Sequence, residues 1–169
     1  SIQGQGKYKI DAGHSTTIYN GETVKISSGY VVGGNGSAAD ILGVLNGIFF
    51  NAATTLKPTF SNFYKATITP ANSEDTTAFV IDDPYQQYVV AADDATGVTT
   101  MLETYDMNTS AGSDTTGKSS SSLDIATTSA NGKQFRLLRS AEDPENEDAT
   151  AALASVIVVS NLNSFNGHN

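Results

Sequence analysis

Carboxylates are the first residues of this sequence with the makings of a reactive site. The stretch "VIDDPYQQYVVAADD", Val80 to Asp94, sets Asp82-Asp83 and Asp93-Asp94 on either side of a short apolar run. Two carboxylates across a cleft can serve as general acid and base when an apolar, usually aromatic, wall raises one pKa. This chain has no tryptophan, and its acids sit among turn residues. Structural roles follow instead. Asp82-Asp83-Pro84 is expected to end one strand and aim the next, and Asp93-Asp94 to discourage pairing beyond the second.

Three other groupings invite the same test. "DAGHS" places His14 beside Ser15 and near Asp11, all the residue types of a hydrolytic triad, yet no G-x-S-x-G elbow presents a serine to a distant base. "AEDPENED", Ala141 to Asp148, packs five carboxylates into eight residues, hard ligands suited to calcium, but its spacing matches no D-x-D-x-D-G loop and reads as a solvated acidic turn. "GGNGSAAD" lacks the Lys-Ser/Thr of a phosphate loop. The expectation is therefore no catalytic residue, no metal site and no cofactor.

The elements that carry these residues come from composition and pattern. A length of 169 residues suits one ordinary domain. The charged share is 16%, below the usual roughly 25%, and Ser, Thr, Asn and 15 glycines fill the deficit, which favours strands and turns. A net charge of −9 with scattered Lys and Arg argues against a nucleic-acid surface. Cysteine is absent, so no disulfide or thiolate site forms. No apolar run reaches the ~20 residues of a membrane span.

Short apolar runs between turn residues predict a mainly β fold, a small β-barrel or sandwich-like domain with long loops. Asn20-Gly21 predicts a hairpin whose three-residue loop pairs Ile18 with Val24. A strand follows near Tyr30 to Val32. Ile41 to Phe50 reads as a bent or bulged strand relieved by Gly43 and Gly47. "TTAFVID" and "YQQYVVAAD" are two more, separated by Asp83-Pro84. Val98 to Met107 has helical spacing, and Asn108 to Ser122 reads as a flexible surface loop. A second hairpin turns at Asn131-Gly132, with Phe135 and Leu137 facing Ala126 and with Leu138 facing Ile125. Ser155 to Asn163 is a strand buried on both faces.

The predicted core is Ile18, Val24, Ile41, Leu42, Val44, Phe79, Ile81, Val89, Leu137, Val156 and Val158. Residues 1–10, "SIQGQGKYKI", read as an extended N-terminal arm before a single β-rich domain at 11–169. The arm ends in an alternating Lys-Tyr-Lys-Ile that can add a strand to a partner's sheet edge and seat Tyr8 and Ile10 in its pockets.

In order, "YKIDAGHSTTIYNGETVKI", "DILGVLNGIFF", "TAFVIDDPYQQYVVAADD", "GKQFRLLRSAEDPENED" and "ASVIVVSNLN" resemble the structural cement, or capsid decoration, proteins of tailed phages. That family has a G-E/D-x-V turn, an I-L-G-V-x-x-G strand, a D-D-P turn into an F/Y-x-V-x-A-D strand, an R-I/L-L pair before an acidic turn, and a last V-x-V strand. The similarity spans Tyr8 to Asn163. It departs in lacking the opening G-L/F-R-P segment and the aromatics before the last strand.

The resemblance implies a virion protein on the outer capsid surface, made in the host cytoplasm. It would bind the major capsid protein at capsomer junctions, often as a homotrimer, and brace the expanded shell against internal DNA pressure, without nucleic acid or membrane as partner. The candidate capsid contacts are Ile2, Gln3, Lys7, Tyr8, Lys9 and Ile10; Asn20, Gly21, Asp82, Asp83, Pro84, Asn131 and Gly132 are turn residues. Two alternatives remain: a carbohydrate- or receptor-binding β module using Tyr85, Tyr88 or Tyr105, and a hydrolase using paired carboxylates.

Overall fold

A computed structural model describes residues 4–36, 40–108, 112–145, 148 and 150–165. Among them the chain is mainly β and forms two antiparallel sheets, neither of them a closed barrel. The mainly β class expected from the sequence therefore holds. Compactness divides the chain into two units, the first drawn from 1–34, 42–83 and 111–120, the second from 35–41, 84–110 and 121–169. The segment 11–169 thus contributes to both.

The first unit holds β1 (Gly6–Ile10), β2 (Thr23–Ser27), β3 (Tyr30–Gly33), β4 (Gly43–Asn51), β5 (Pro58–Ser61) and β6 (Thr76–Ile81). Their order is β1-β6-β4-β2-β3, with β5 beside the second half of β4. A two-residue turn at Ser28-Gly29 joins β2 to β3; φ is positive at both, as a type I′ hairpin requires. The bulge expected in β4 is present. Leu45 pairs with Val80 and Gly47 with Phe79, which leaves Asn46 as the extra residue. Ile10, Ile18, Val24, Val31, Leu42, Leu45, Ile48, Tyr64, Ala78 and Val80 form this unit's core.

The second unit holds β7 (Gln87–Ala91), β8 (Thr104–Met107), β9 (Leu123–Ser129), β10 (Phe135–Ser140) and β11 (Ser155–Ser160), ordered β7-β11-β10-β8-β9. Its core joins Ile41, Ala92, Tyr105, Met107, Leu123, Phe135, Leu137, Val156 and Val158. Here β8 lies between β9 and β10, so Asn131-Gly132 does not close the expected hairpin. The reason is polar. Asp106 on β8 accepts from the Lys133 ammonium at 2.8 Å and from the Gln134 N–H at 3.3 Å, while the Gln134 side chain accepts the Met107 N–H at 3.1 Å. These bonds hold the start of β10 against β8.

Other expectations change too. Asn20-Gly21 is a turn, closed by the Glu22 N–H on the Tyr19 carbonyl, but Ile18 pairs with Tyr64 rather than Val24. Val98 to Met107 is a 3-10 turn at Val98–Thr100 followed by β8, consistent with its threonines opposing a helix. The expected arm is strand β1 over Gly6–Ile10, paired along its length with β6. Residues 1–3 lie outside the described residues.

Seven of the eleven predicted core residues are buried; Val44, Phe79 and Ile81 are only partly covered, and Val89 is 69% exposed. Each sits on a strand apolar on both faces. In β6 the inward residues are Thr76, Ala78 and Val80, because β1 sets Tyr8 opposite Ala78 and Ile10 opposite Thr76. Small side chains there leave volume for Tyr8 and Ile10.

The Lys133–Asp106 pair gives a stability test. Lys133→Ala strands a carboxylate whose side chain is only 9% exposed. A fully buried pair would cost ~3–5 kcal/mol to break, and less is expected here because Lys133 keeps 26% of its side chain in solvent: about 2 kcal/mol by urea unfolding. Adding Asp106→Asn to Lys133→Ala should recover part of that loss.

Candidate contact surface

Four of the six residues nominated as capsid contacts, Lys7, Tyr8, Lys9 and Ile10, lie on β1, and the pleat sorts them into two sets. Tyr8 and Ile10 point inward: Ile10 belongs to the first unit's core and Tyr8 packs against it. They do not serve as anchors for a partner's pockets. Lys7 and Lys9 point outward and are exposed, and the Lys9 ammonium lies 3.2 Å from the Thr77 hydroxyl. Ile2 and Gln3 lie outside the described residues.

The Tyr8 hydroxyl donates to Asp82 at 2.6 Å. Burial, with the bond and charge of Asp82, pushes this phenol up to about 12. Asp82 thus fastens the end of β6 to β1, while β7 starts at Gln87 in the other sheet. Asp82-Asp83-Pro84 lies in the connection between β6 and β7. The second acidic pair acts differently. Asp93 accepts the Ile125 N–H at 3.0 Å and gives its own N–H to Leu123, and Ala92 bridges Leu123 in parallel, so pairing continues past β7. Asp94 accepts the Ala95 N–H.

Asn20 donates to the Asn62 carbonyl at 3.2 Å and bridges Lys118 in parallel. This bridge is part of how 112–120, within the Asn108 to Ser122 stretch read from sequence as a flexible surface loop, packs inside the first unit. The Tyr19 hydroxyl donates to Asp114 at 2.8 Å, Lys65 reaches Asp114 at 3.5 Å, and Gly112 and Gly117 lie against the Tyr19 and Phe63 rings. Asn131 and Gly132 are exposed; Asn131 accepts from Arg136 at 2.8 Å, and its carbonyl accepts from Asn161 at 2.9 Å.

Register places one surface that sequence reading missed. Phe60 pairs with Phe49, Phe49 with Thr77 and Thr77 with Lys9, a row across β5, β4, β6 and β1; beside it run Gly47, Phe79 and Lys7. Paired residues share a face, and this one points away from the core. The Phe60 ring lies 4.9 Å from Phe49 and stacks at 6.4 Å on Phe79, and the side-chain-free Gly47 is the β4 member of the second row. Phe60 is 73% exposed. The tyrosines suggested for carbohydrate do not group: Tyr105 is buried, Tyr88 packs edge-on against Phe135, and Tyr85 is exposed.

The hydrolytic groupings acquire local roles. Asp11 uses its carboxylate on the Gly13 N–H at 2.7 Å and its carbonyl on the His14 N–H at 3.0 Å. The His14 ring lies 5.5 Å from Tyr64, and its Nε2 has no hydrogen-bond partner among the described residues. Burial lowers its pKa, opposed by Asp11. A nearby cleft of about 370 Å³, lined by Ala12, Gly13, Ile68, Thr69, Pro70 and Ser73, has no ionisable lining side chain. Glu142, Asp143 and Glu145 are exposed, with residues 146 and 147 outside the described set, and no group of three or more metal-ligating side chains gathers among the described residues.

Two pH effects follow. A histidine whose folded pKa is depressed adds stability that is present above its usual ~6.5 and lost as pH falls below it. His14→Gln should therefore flatten the decline of the melting temperature between about pH 7 and about pH 5. Tyr8 acts at the other end: its raised folded pKa adds stability that disappears as pH rises from its usual ~10 to about 12. Tyr8→Phe should lose about 1 kcal/mol at neutral pH by urea unfolding and lessen the alkaline decline.

Comparison with known proteins finds no matching family model, no matching curated protein and no matching solved structure, so a functional reading of this surface rests on its own residues and on the sequence resemblance.

Proposed function

We propose that the chain is a capsid decoration protein that binds the outside of an expanded phage shell and braces capsomer junctions. One observation carries the reading: the sequence blocks that resemble cement proteins coincide with the frame. They fall on β1, on β4 with its bulge, on β6 with the Asp82-Asp83-Pro84 exit to β7, on β10 and on β11. A resemblance that recurs through both sheets concerns architecture, as expected for a protein whose work is mechanical.

Charge agrees with an exterior site. At −9 the chain is repelled by packaged DNA and has the net charge of a soluble protein. Its acidic residues hold strands and loops: Asp82 through Tyr8, Asp93 through Ile125, Asp106 through Lys133. On this reading the protein is not an enzyme, its partner is the major capsid protein, and a homotrimer matches a threefold junction with one patch per capsid subunit.

The test is co-sedimentation with shells assembled from the major capsid protein of the same virus, expanded and unexpanded, with a shell-free control. The protein should pellet with expanded shells and stay in solution otherwise, at a light-scattering mass three times the 17.6 kDa chain. If it remains in the supernatant with expanded shells, the reading fails.

A further inference from the structure

We propose that the outward face of the first unit's sheet, centred on Phe60 with Phe49 and Phe79 and edged by Lys7 and Lys9, docks an acidic protein surface. This inference rests on the decoration reading and names the contact within it: an apolar, carboxylate-bearing patch on the shell exterior.

Charge is distributed unevenly along the chain. Its 18 acidic residues all lie outside the six strands of this sheet, which hold Lys7, Lys9 and Lys25 as their only charged residues. Register turns all three lysines outward: Lys7 pairs with Phe79, Lys9 with Thr77, and Lys25 is two residues from Thr23, which pairs with the outward Val44. An otherwise acidic molecule therefore has one sheet face that is apolar and basic.

The arrangement matches a protein interface. Aromatic anchors occupy the centre of such contacts and charged side chains the rim. The Phe60 ring, stacked on Phe79 and tilted against Phe49, is held in place before binding, so little side-chain freedom is lost on contact. A monomer seldom leaves such a ring cluster in water without a use. A second copy meeting this face across a twofold axis would bring lysine rims together, which favours an acidic occupant over self-pairing.

Two variants separate the outcomes, Phe60→Ser and the double change Lys7→Glu with Lys9→Glu. All three residues are exposed, so both proteins should keep the wild-type circular dichroism and solution mass. Binding to expanded shells of the same virus is measured by depletion at about 50 mM and about 200 mM NaCl. Phe60→Ser should weaken binding at least tenfold at both. The double reversal should weaken it more than tenfold at low salt, with a smaller gap at high salt, because the rim charges are screened. If either protein binds like wild type, the proposal is overturned, and the decoration reading survives because wild type still pellets. A drop in solution mass for Phe60→Ser without shells would also overturn it, assigning the face to contacts between copies. If wild type binds no shell, the decoration reading falls and this inference with it.

Discussion

The register of β4 is the constraint on which the first unit depends. This strand is paired on both sides, to β6 on one and to β2 and then β5 on the other, so its neighbours inherit its parity. Two glycines fix it. A Cβ on Gly43 would stand 2.0 Å from the Ile81 carbonyl oxygen, so only glycine permits that approach of β6. Gly47, at φ +149°, lets the chain absorb Asn46 as a bulge. The extra residue reverses the alternation: Leu45 and Ile48, three apart, both face the core. Were the same residues paired without the bulge, Ile48 would turn out and Phe49 in. The inward Ile48 and the outward Phe49 are two consequences of one bulge.

In the second unit, polar side chains do what register does in the first. Its chain order and spatial order differ, since β8 separates β9 from β10. The link across β8 is held by amide and guanidinium bonds: Asn161 donates to the carbonyls of Asn131 and Lys133, and Arg136 reaches Asn131, Asn161 and the Leu102 carbonyl. Gln134, fully buried, accepts the Asn161 and Leu162 N–H groups on its carbonyl. Networks like this are costly when half satisfied and specify a single arrangement when complete. Here they replace the short turn that would otherwise have joined neighbours.

Strand existence was legible in the sequence, and strand pairing was not. The runs at Ile41 to Phe50, "TTAFVID", "YQQYVVAAD" and Ser155 to Asn163 all lie on strands, because apolar β-branched runs between turn residues constrain the backbone locally. Faces are a different matter. "TTAFVI" and "QYVVA" are apolar at odd and even positions alike, so only the neighbours decide, and Tyr8 opposite Ala78 is a long-range fact. Asn-Gly signals a turn but not which strands flank it, hence two expected hairpins that do not form while Ser28-Gly29 makes one. The segment 112–120 looked unstructured because it docks through glycine backbone against Tyr19 and Phe63 and through Asp114, not through apolar side chains of its own. The Phe60 surface escaped notice for the same reason as the faces. Its three rings are far apart in sequence and meet only once the register is known.

The charge pattern then acquires a physical logic. Carboxylates at strand ends and loops have local work, as Asp75 illustrates: it accepts the Ala12 N–H and, by its charge and hydrogen bond, raises the Tyr30 phenol pKa. Placing acids at the ends leaves the strands of the first sheet free of them, so that the face acquires its basic sign from three lysines. Out to a Debye length of ~10 Å a partner senses the screened net −9, which repels an acidic surface and packaged DNA alike; in contact it senses Lys7, Lys9 and the phenylalanines. Attraction confined to contact range, on a molecule of net negative charge, restricts how it can approach an acidic partner. For a protein proposed to occupy defined junctions on a shell, orientation is the property that matters, and this distribution of charge supplies it without a large interface.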